Sequence, residues 1–426
     1  MNNNALDHYY NMADILTVSQ VLDIVIRLSE EGTTRSELAR LTGFSKSTIS
    51  NHVETLLAEN LVLEGSGFSR GRKNSHCIYF NADCGCVISV DVGVTSLNVA
   101  VCNLVGKPLA ASFQEDVDVN LGPHIILNQA ITTAQNLLNH NHIPMTKVFG
   151  IGVGIPAPIE FATGRPSQPP LMHGGWGNYP IKETFEEAFG KPAFVDNDVN
   201  IMAMAEYEAE NTHNDGNFLF VKLGTGIGCG IFCGGKIYRG ASGCAGDIGH
   251  ISIEGNDDLC ACGNRGCLEN LAGGAAIQKR IQWMAQNGKS DFLASCLAKN
   301  EPITCRTLGA GILAQDVACK EFVYQTGLYI GEVMAKLVNF YNPSMVVFGG
   351  GLINLGDLLF TGIREKIYRC STALATRNLQ IKCSSLGEQA GIKGAAIMVR
   401  DRIFMPSQFS KNYLLFREET RPNTLV

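Results

Sequence analysis

A glycine-rich turn follows a strongly apolar segment at two widely separated places in this chain. Residues 87–92, mostly valine and isoleucine, lead into Gly93, and residues 218–223, mostly phenylalanine, leucine and valine, lead into Gly224. An apolar run bounded by glycine predicts a buried strand that ends in a turn. The two turns lie about 130 residues apart and residues 345–348 repeat the pattern. We therefore expect an α/β fold built from a duplicated strand-and-turn unit.

The same turns are candidate nucleotide contacts. Glycine has no side chain, so its backbone amide can approach a phosphate closely, and a neighbouring threonine adds a hydroxyl donor. Either turn alone is weak evidence because glycine also serves ordinary hairpins, but the pair favours a phosphate site. The residues concerned are Asp91, Gly93 and Thr95 in the first turn and Gly224, Thr225 and Gly226 in the second.

Length and composition indicate a folded protein without membrane spans. The chain has 426 residues, of which 45% are hydrophobic and 17% charged, so two or three domains with their own cores are expected. Residues 1–10 lack the features of a signal peptide, and no apolar run reaches the roughly 18 residues that span a bilayer. We expect a cytoplasmic protein with no membrane partner. Most of its 15 cysteines, such as Cys102, Cys229 and Cys319, are expected to be free buried thiols.

Three helical patterns occupy most of the N-terminal segment. Apolar residues recur at helical spacing over 15–28, which predicts a first helix. Thr34 and Glu37 form a capping-box pair at the start of a second helix, which Gly43 ends. Ser45 is a candidate N-cap for a third helix.

A hairpin pattern follows the third helix. Residues 61–64 and 75–80 predict two strands around a glycine- and arginine-rich tip at 65–73. Three helices and a hairpin in this order resemble the winged helix-turn-helix of bacterial repressors, so residues 1–82 are expected to bind DNA. Contacts to bases and phosphates are predicted on the third helix and the wing, at Lys46, Ser47, Thr48, Ser50, Asn51, Arg70, Arg72 and Lys73. His52 is expected to point partly outward beside them.

Charge supports DNA binding only locally. Residues 1–85 hold 7 lysines and arginines against 10 acids, and the whole chain carries a net charge of −6, whereas a DNA-binding domain is usually basic. The cations nevertheless lie where DNA contacts are expected, and acids such as Asp14 and Glu30 lie elsewhere. A helical protein-interaction module is the alternative.

The sharpest local pattern is a set of four candidate metal ligands, His250, Cys260, Cys262 and Cys267. Three thiolates and an imidazole complete the tetrahedral shell that zinc prefers. Two glycines between the last two cysteines supply the tight turns of a closed loop. Since four protein ligands leave no open position, the sequence predicts a structural zinc ion; four unrelated buried residues are the alternative.

Asn197 and Asp198 stand between an apolar run that ends at Val195 and a helical pattern over 202–210. Amide and carboxylate groups at the end of a strand can hold the hydroxyls of a polyol. Taken alone, the pair is better explained as a helix cap, for which both residue types are preferred. The glycine turns on either side favour the polyol site.

Two longer segments carry a family resemblance. Residues 240–250 and residues 260–269 resemble the corresponding segments of the ROK family of repressors and sugar kinases, and the match spans about residues 15–400. The resemblance implies an α/β protein with an actin-like (ribonuclease H-like) sugar-kinase fold of two lobes, preceded by the winged helix-turn-helix.

The resemblance also implies domain limits. The first lobe is expected at residues 86–196, completed by a C-terminal helix at 386–404. The second lobe, which carries the zinc site and a dimerisation surface, is expected at residues 197–385.

Site roles follow from the resemblance as well. Sugar hydroxyls are expected to contact five side chains, Asn197, Asp198, Asp247, His250 and Glu269. Asp198 would be the catalytic base of a kinase, but no catalytic residue is expected here. Val94 and Ser96 replace a glycine and a lysine that family kinases use in the first turn. Asp247 stands where those kinases usually have the longer glutamate, which predicts an altered or enlarged sugar preference.

The leading hypothesis is a sugar-responsive DNA-binding regulator, a repressor of carbohydrate uptake or catabolism genes. Its expected partners are a palindromic double-stranded operator, a sugar or sugar-phosphate effector between the lobes, and further copies of the chain in a homodimer or homotetramer. The family implies release from DNA by sugar. The alternatives are an ATP-dependent sugar kinase that retains catalysis and a regulator controlled by a protein partner.

Overall fold

The structure is a computed structural model that describes residues 12–28, 31–69, 72–167, 172–210 and 216–404. Arg70, one of the predicted DNA contacts, lies outside these ranges. The backbone of Arg72 and Lys73 belongs to a described strand, but their side chains lie outside the description. Within the described ranges, no helix combines the length and the apolar character needed to cross a bilayer.

The described N-terminal part, called the head below, is a helical unit with a hairpin. Its elements are α1 (Met12–Arg27), α2 (Arg35–Thr42), α3 (Lys46–Ala58), β1 (Val62–Ser69) and β2 (Arg72–Phe80). The predicted helix starts are confirmed, since Thr34 accepts a hydrogen bond from the Glu37 amide and Ser45 from the Thr48 amide. Gly43 ends α2 in the left-handed region, with φ of 75°. The two strands run further into the wing than predicted, so the tip is shorter than residues 65–73.

The head leads directly into a mixed sheet. The elements that follow are β3 (Cys86–Val92), β4 (Ser96–Asn103), β5 (Pro108–Glu115), α4 (Pro123–His140), β6 (Val148–Ile155), β7 (Ile159–Glu160), β8 (Arg165–Pro166), α5 (Ile181–Phe189) and β9 (Ala193–Asn197). Strands β5, β4, β3, β6 and β9 lie side by side in that order, and β3, β6 and β9 are parallel. Their carboxyl ends therefore share one edge of this first sheet.

A second sheet repeats the arrangement. The remaining elements are α6 (Asp198–Ala209), β10 (Phe218–Leu223), β11 (Ile227–Cys233), β12 (Lys236–Tyr238), α7 (Glu269–Ala272), α8 (Gly274–Gln286), α9 (Asp291–Ala298), α10 (Cys305–Leu313), α11 (Val317–Tyr341), β13 (Met345–Gly349), α12 (Asp357–Cys370), α13 (Ala373–Thr376), β14 (Gln380–Cys383) and α14 (Gln389–Phe404). The strand order is β12, β11, β10, β13 and β14. In both sheets an antiparallel meander of three strands continues into two parallel strands, which confirms the predicted duplication.

Helix α14 joins the parts of the molecule. It packs on the first sheet and on α6. Gly394 permits the close approach to α6, because a Cβ there would lie 1.7 Å from the Ile201 carbonyl oxygen. Helix α14 also packs against the head. Ile392, Val399 and Phe404 belong to the same buried cluster as residues of α1, α3 and β2. The core of the head therefore continues into α14 and the first sheet.

The cysteines that lie in apolar segments are buried, as predicted. Cys102, Cys229 and Cys319 are free thiols inside the described sheets and helices. Burial raises the pKa of the first of these thiols to about 12, which makes it unreactive at neutral pH. These cysteines fill the core and need no redox role.

Candidate functional site

A cleft of about 1260 Å³ lies where the carboxyl ends of the parallel strands of the two sheets meet. Gly93 follows β3, Pro156 follows β6 and Asn197 ends β9, while Gly224 and Gly351 follow β10 and β13. In α/β proteins, ligands bind in the crevice outside the carboxyl ends of the strands, where loops supply the contacts. The duplicated topology therefore builds the cleft from both halves of the chain.

The structure brings the predicted site residues together on the wall of this cleft. All five sugar candidates line it: Asn197, Asp198, Asp247, His250 and Glu269. So do five residues of the glycine turns: Gly93, Thr95, Gly224, Thr225 and Gly226. Asp91 is buried behind the wall and does not line it.

Asn197 is a helix cap that also lines the cleft. Its Oδ1 accepts from the amides of Val199 (2.9 Å) and Asn200 (3.4 Å), and its Nδ2 donates to the Ala157 carbonyl (3.0 Å). Helix α6 therefore begins at Asp198, four residues earlier than the sequence pattern predicted. The cap fixes the amide in one orientation, so Asn197 presents a rigid surface to any ligand in the cleft.

Asp198 is 2% exposed and is held by two donors. Its Oδ1 accepts from the Val199 amide at 2.9 Å, and its Oδ2 accepts from the ammonium of Lys222 on β10. The contact joins the start of α6, which directly follows the last strand of the first sheet, to the central strand of the second sheet. Sequence reasoning missed Lys222, although a lysine in an otherwise apolar strand is a recognisable signal.

A buried ion pair also connects the two halves. Nε and Nη2 of Arg239, which follows β12, both donate to Oδ2 of Asp196 in β9, at 2.8 and 2.7 Å. At the mouth of the cleft, Arg306 on α10 contacts Glu115 of β5 at 3.2 Å, but both side chains are exposed, so this pair contributes little stability. Neither pair could be predicted from the sequence, because the partners are far apart along the chain.

The second glycine turn is closely packed and the first is altered. Gly274 at the start of α8 donates to the Gly224 carbonyl at 2.8 Å, and a Cβ on Gly274 would lie 2.8 Å from that oxygen. In the first turn, Val94 lines the cleft with a β-branched side chain. Ser96 turns its hydroxyl toward Gly93, where a Cβ would lie 2.3 Å from the Ser96 Oγ. The first turn therefore presents a branched side chain to the cleft, whereas Gly224 and Gly226 of the second turn present only backbone.

The four predicted metal ligands converge. The ligand atoms of His250, Cys260, Cys262 and Cys267 lie within 4.8 Å of one another, a spacing that can hold a metal ion. The loop is shaped by Gly266, which has φ of 78° and whose Cβ would lie 2.4 Å from the Asn256 carbonyl oxygen. Three sulfurs and one imidazole nitrogen form the donor set of structural zinc, so the residues fit that ion.

His250 connects the metal cluster to the cleft. Its Nδ1 lies 3.7 Å from the Cys260 sulfur, and its Nε2 lies 3.7 Å from Oδ1 of Asp247. Glu269, at the start of α7, accepts from the Ile227 amide through Oε2 at 2.9 Å. Burial raises the pKa of Glu269, with the amide and His250 acting in the opposite direction. A metal on one side of the imidazole would thus fix the nitrogen that faces the cleft.

The third helix of the head presents most of its predicted DNA contacts to solvent. Lys46, Ser47 and Asn51 are exposed, and Thr48 and Ser50 are half-buried. His52 was predicted to point partly outward, and that prediction is wrong. Its side chain is buried and its ring lies edge-on to Phe44, at 6.2 Å between centroids. The Phe44 turn before α3 folds over this histidine, which its position on the helix could not reveal.

Comparison with known proteins decides the family. The family model described as ROK family matches residues 87–402, which include both sheets, the cleft and the Cys/His cluster. The chain belongs to the ROK family. The resemblance inferred from the motifs is thereby confirmed, and so is the fold class.

This ROK protein resembles both repressors and kinases. It is 28% identical over 393 residues to the xylose repressor of Caldicellulosiruptor bescii, with 91% of this chain and 97% of that protein covered. It is 30% identical over 320 residues to the glucokinase of Halalkalibacterium halodurans, with 74% and 95% covered. The two coverages, 91% against 74% of 426 residues, differ by about 70 residues. That difference is close to the length of the head, Met12–Phe80.

A solved structure also matches nearly the whole ROK chain. It is a ROK family transcriptional regulator described as a homologue of the E. coli MLC protein, with a TM-score of 0.78 and 23% identity. The alignment covers 94% of this chain and 99% of that one. The fold, including the head, is therefore that of a ROK regulator.

Proposed function

We propose that this ROK protein is a sugar-responsive transcription repressor. The observation that carries the proposal is the joining, in one folded chain, of a head with an exposed helix α3 to a cleft lined by polar groups suited to hydroxyls. The xylose repressor relative extends over the head, whereas the glucokinase relative covers about 70 residues less. The head would bind operator DNA, and a sugar in the cleft would change that binding.

The effector is a small sugar held by the five candidates of the cleft wall. Carboxylates accept hydrogen bonds from pairs of sugar hydroxyls. The His250 imidazole and the side-chain amide of Asn197 would then fix the orientation of the sugar. Because relatives are named xylose repressors, a pentose such as D-xylose is the first effector to test. A sugar phosphate is a second candidate effector, because the turn at Gly224 and Thr225 could accept a phosphate group.

The Cys/His cluster is proposed to hold a zinc ion with a structural role. Its four ligand groups complete the coordination shell, so zinc would supply rigidity to the loop between His250 and Glu269 and no reactive position. The residues on either side of this loop face the cleft, so the ion would support the sugar site from behind.

We propose that the two lobes lack kinase activity. Val94 and Ser96 leave the first turn unsuited to phosphate. The glucokinase relatives and the presence of Asp198 favour the second candidate, an active sugar kinase. A coupled ADP-release assay over a sugar panel separates the two. Saturable turnover that disappears in the Asp198→Asn variant would contradict our proposal.

We further propose that the chain acts as a symmetric homodimer or homotetramer on a palindromic operator, since paired heads match paired half-sites. The proposed working parts are residues 1–82 for DNA, residues 86–196 with 386–404 as the first lobe, and residues 197–385 as the second. Sugar binding between lobes would alter the spacing of the two heads by favouring one lobe arrangement.

The proposal is tested by selecting genomic fragments with the purified full-length chain. The recovered fragment is then titrated by fluorescence anisotropy with and without D-xylose and other aldoses, and thermal shifts are recorded with the same sugars. We expect sequence-selective binding that one sugar releases, and a rise in Tm with that sugar. The matched control, Asp247→Ala, should bind the fragment equally and need more sugar for release. Binding without sequence preference, or no response to any sugar, would contradict the proposal.

Replacing Lys46 by alanine is expected to weaken binding to all fragments by a similar factor. An exposed lysine that contacts phosphate releases about one counterion, so the slope of log affinity against log salt should fall by about one unit. Tm should not change, because Lys46 is exposed. Anisotropy titrations at several salt concentrations measure the slope. Lys107→Ala, at an exposed lysine in the turn between β4 and β5, is the control, and equal behaviour of the two variants would remove Lys46 from the DNA surface.

The Asp247→Glu substitution is expected to change the order of sugar affinities. The longer side chain reaches further into the cleft and restores the residue that ROK kinases usually carry, which should favour hexoses over pentoses. Calorimetric titration of both proteins with the same panel gives the ranking, and an unchanged ranking would rule out a specificity role for Asp247.

A further inference from the structure

Lys222 is a charged residue inside an apolar strand. It is the fifth residue of β10, whose other side chains are buried, and it keeps 21% of its side chain exposed toward the cleft. Its aliphatic part passes the second glycine turn, since a Cβ on Gly224 would lie 3.3 Å from the Lys222 Cε. The ammonium thus reaches the inner end of the cleft beside the turn where phosphate would bind.

Two carboxylates surround that ammonium. Oδ2 of Asp198 accepts a hydrogen bond from it, and Asp91 lies near enough to attract it. Burial alone would lower the pKa of Lys222, but the two acids outweigh burial and raise it, so the group stays charged. Burial raises the pKa of Asp91 to about 6, an effect that Lys222 reduces. A positive charge is therefore built into the fold between two acids.

Asp91 has few hydrogen-bond donors around it among the described residues. Its Oδ1 is buried without a hydrogen-bond partner, and its Oδ2 receives one long contact from Asn98 at 3.4 Å. A Cβ on Gly391 of α14 would lie 2.1 Å from that Oδ2, so α14 holds the carboxylate in place. A buried carboxylate with so few donors is costly in its charged form unless a cation lies close to it.

Phosphoryl transfer needs a divalent cation held by one or two carboxylates together with the phosphates. A lysine ammonium is a compact point charge with three N–H donors, which carboxylates can satisfy, but it cannot bridge phosphate oxygens in the way that a divalent cation does. It also occupies the Asp198 oxygen that would accept a proton from a sugar hydroxyl.

We propose that the Lys222 ammonium substitutes for a divalent cation at the inner end of the cleft. It neutralises Asp91 and Asp198 and keeps Asp198 as a fixed acceptor for a sugar hydroxyl. The chain therefore binds its sugar without a divalent metal and does not form the magnesium-nucleotide site of a kinase. Together with the altered first turn, Lys222 thus separates sugar binding from phosphorylation. This inference rests on the proposed sugar site but not on DNA binding.

The test compares Mn²⁺ binding by wild type, Lys222→Met and Lys222→Arg, measured by electron paramagnetic resonance on the full chain with the Cys/His cluster loaded with zinc. Mn²⁺ prefers oxygen ligands and discriminates against the thiolate cluster. We expect no Mn²⁺ binding in the cleft of wild type or Lys222→Arg. Lys222→Met should bind Mn²⁺ with an affinity at least about tenfold higher than wild type, because Asp91 and Asp198 then lack a cation. Adding Asp91→Asn to Lys222→Met should abolish the gain. Lys236→Met, on exposed β12, is the control for loss of a lysine.

Calorimetry with D-xylose completes the test. Wild type should bind sugar with the same Kd in the presence of Mg²⁺ and after its removal. Asp91-dependent Mn²⁺ binding by wild type, or no gain in Lys222→Met, would overturn the inference. If Lys222→Met does not fold, as judged by thermal melting, Lys222→Gln takes its place with the same expected gain. Failure of every sugar to bind wild type would contradict the proposed function instead, while the Mn²⁺ comparison would still decide the role of Lys222.

Discussion

Cys267→Ser is expected to remove the metal, weaken sugar binding by about 10–100-fold and lower Tm by about 10 °C. Cys267 is fully buried and its sulfur lies 3.7 Å from that of Cys262, so serine leaves an incomplete donor set. Loss of a structural metal belongs to the few changes that cost about 4 kcal/mol or more. The sugar effect follows because His250, freed on its metal side, no longer presents one fixed nitrogen to the cleft.

Zinc content by mass spectrometry, Tm by scanning fluorimetry and sugar affinity by calorimetry measure the three effects. Cys296→Ser is the matched control, because Cys296 is also a buried cysteine but lies on α9, outside the cluster. It should keep its metal and its sugar affinity. A Cys267→Ser protein that retains one zinc per chain would refute the proposed ligand set.

Asp198→Asn is expected to lower the free energy of unfolding by about 3 kcal/mol and to weaken sugar binding by roughly 30-fold. Asparagine can still accept from the Val199 amide, so the start of α6 is kept. The stability loss arises because Lys222 keeps its charge but loses its hydrogen-bonded carboxylate, and breaking such a pair costs about 3–5 kcal/mol. We expect a loss at the lower end of this range, because 21% of the Lys222 side chain is exposed to solvent. The affinity loss corresponds to one hydrogen bond to a charged group, about 2 kcal/mol.

The double variant Asp198→Asn with Lys222→Met separates the two effects. Removing both charges should recover part of the stability, as replacement of a buried pair by uncharged groups often does, while Asp91 loses the cation beside it. Sugar affinity should stay low, because the acceptor is still missing. Urea unfolding and calorimetry on the four proteins of the cycle measure this. A double variant as unstable as Asp198→Asn would show that Lys222 does not depend on Asp198.

The sequence predicted features that are fixed by neighbouring residues. Ser45 and Thr34 cap helices where their spacing placed them, because a capping side chain bonds amides two or three residues ahead. The ligand atoms from His250 to Cys267 converge because short turns with glycine leave few other paths. The duplicated sheets followed from apolar runs bounded by glycine. The family resemblance supplied the order of the lobes.

Features made by distant residues were not predictable. Lys222 lies 24 positions from Asp198, and their contact depends on how the two sheets face each other. His52 looked outward on its own helix but is covered by the turn at Phe44. Asn197 was uncertain as a cap or a ligand-facing residue. In the fold it caps α6 and lines the cleft, because the start of the helix forms part of the wall.

The continuous core of the head, α14 and the first sheet limits how the protein can be re-engineered. A side chain at Gly85, between β2 and β3, would collide with Phe149, where a Cβ would lie 1.7 Å from Cε2. Phe149 also lies edge-on to Phe404, at 5.9 Å between centroids. The head is therefore not an interchangeable module on a tether. A chimera that exchanges heads between ROK regulators must also exchange the matching face of α14. Otherwise the core between the new head and α14 will be poorly packed.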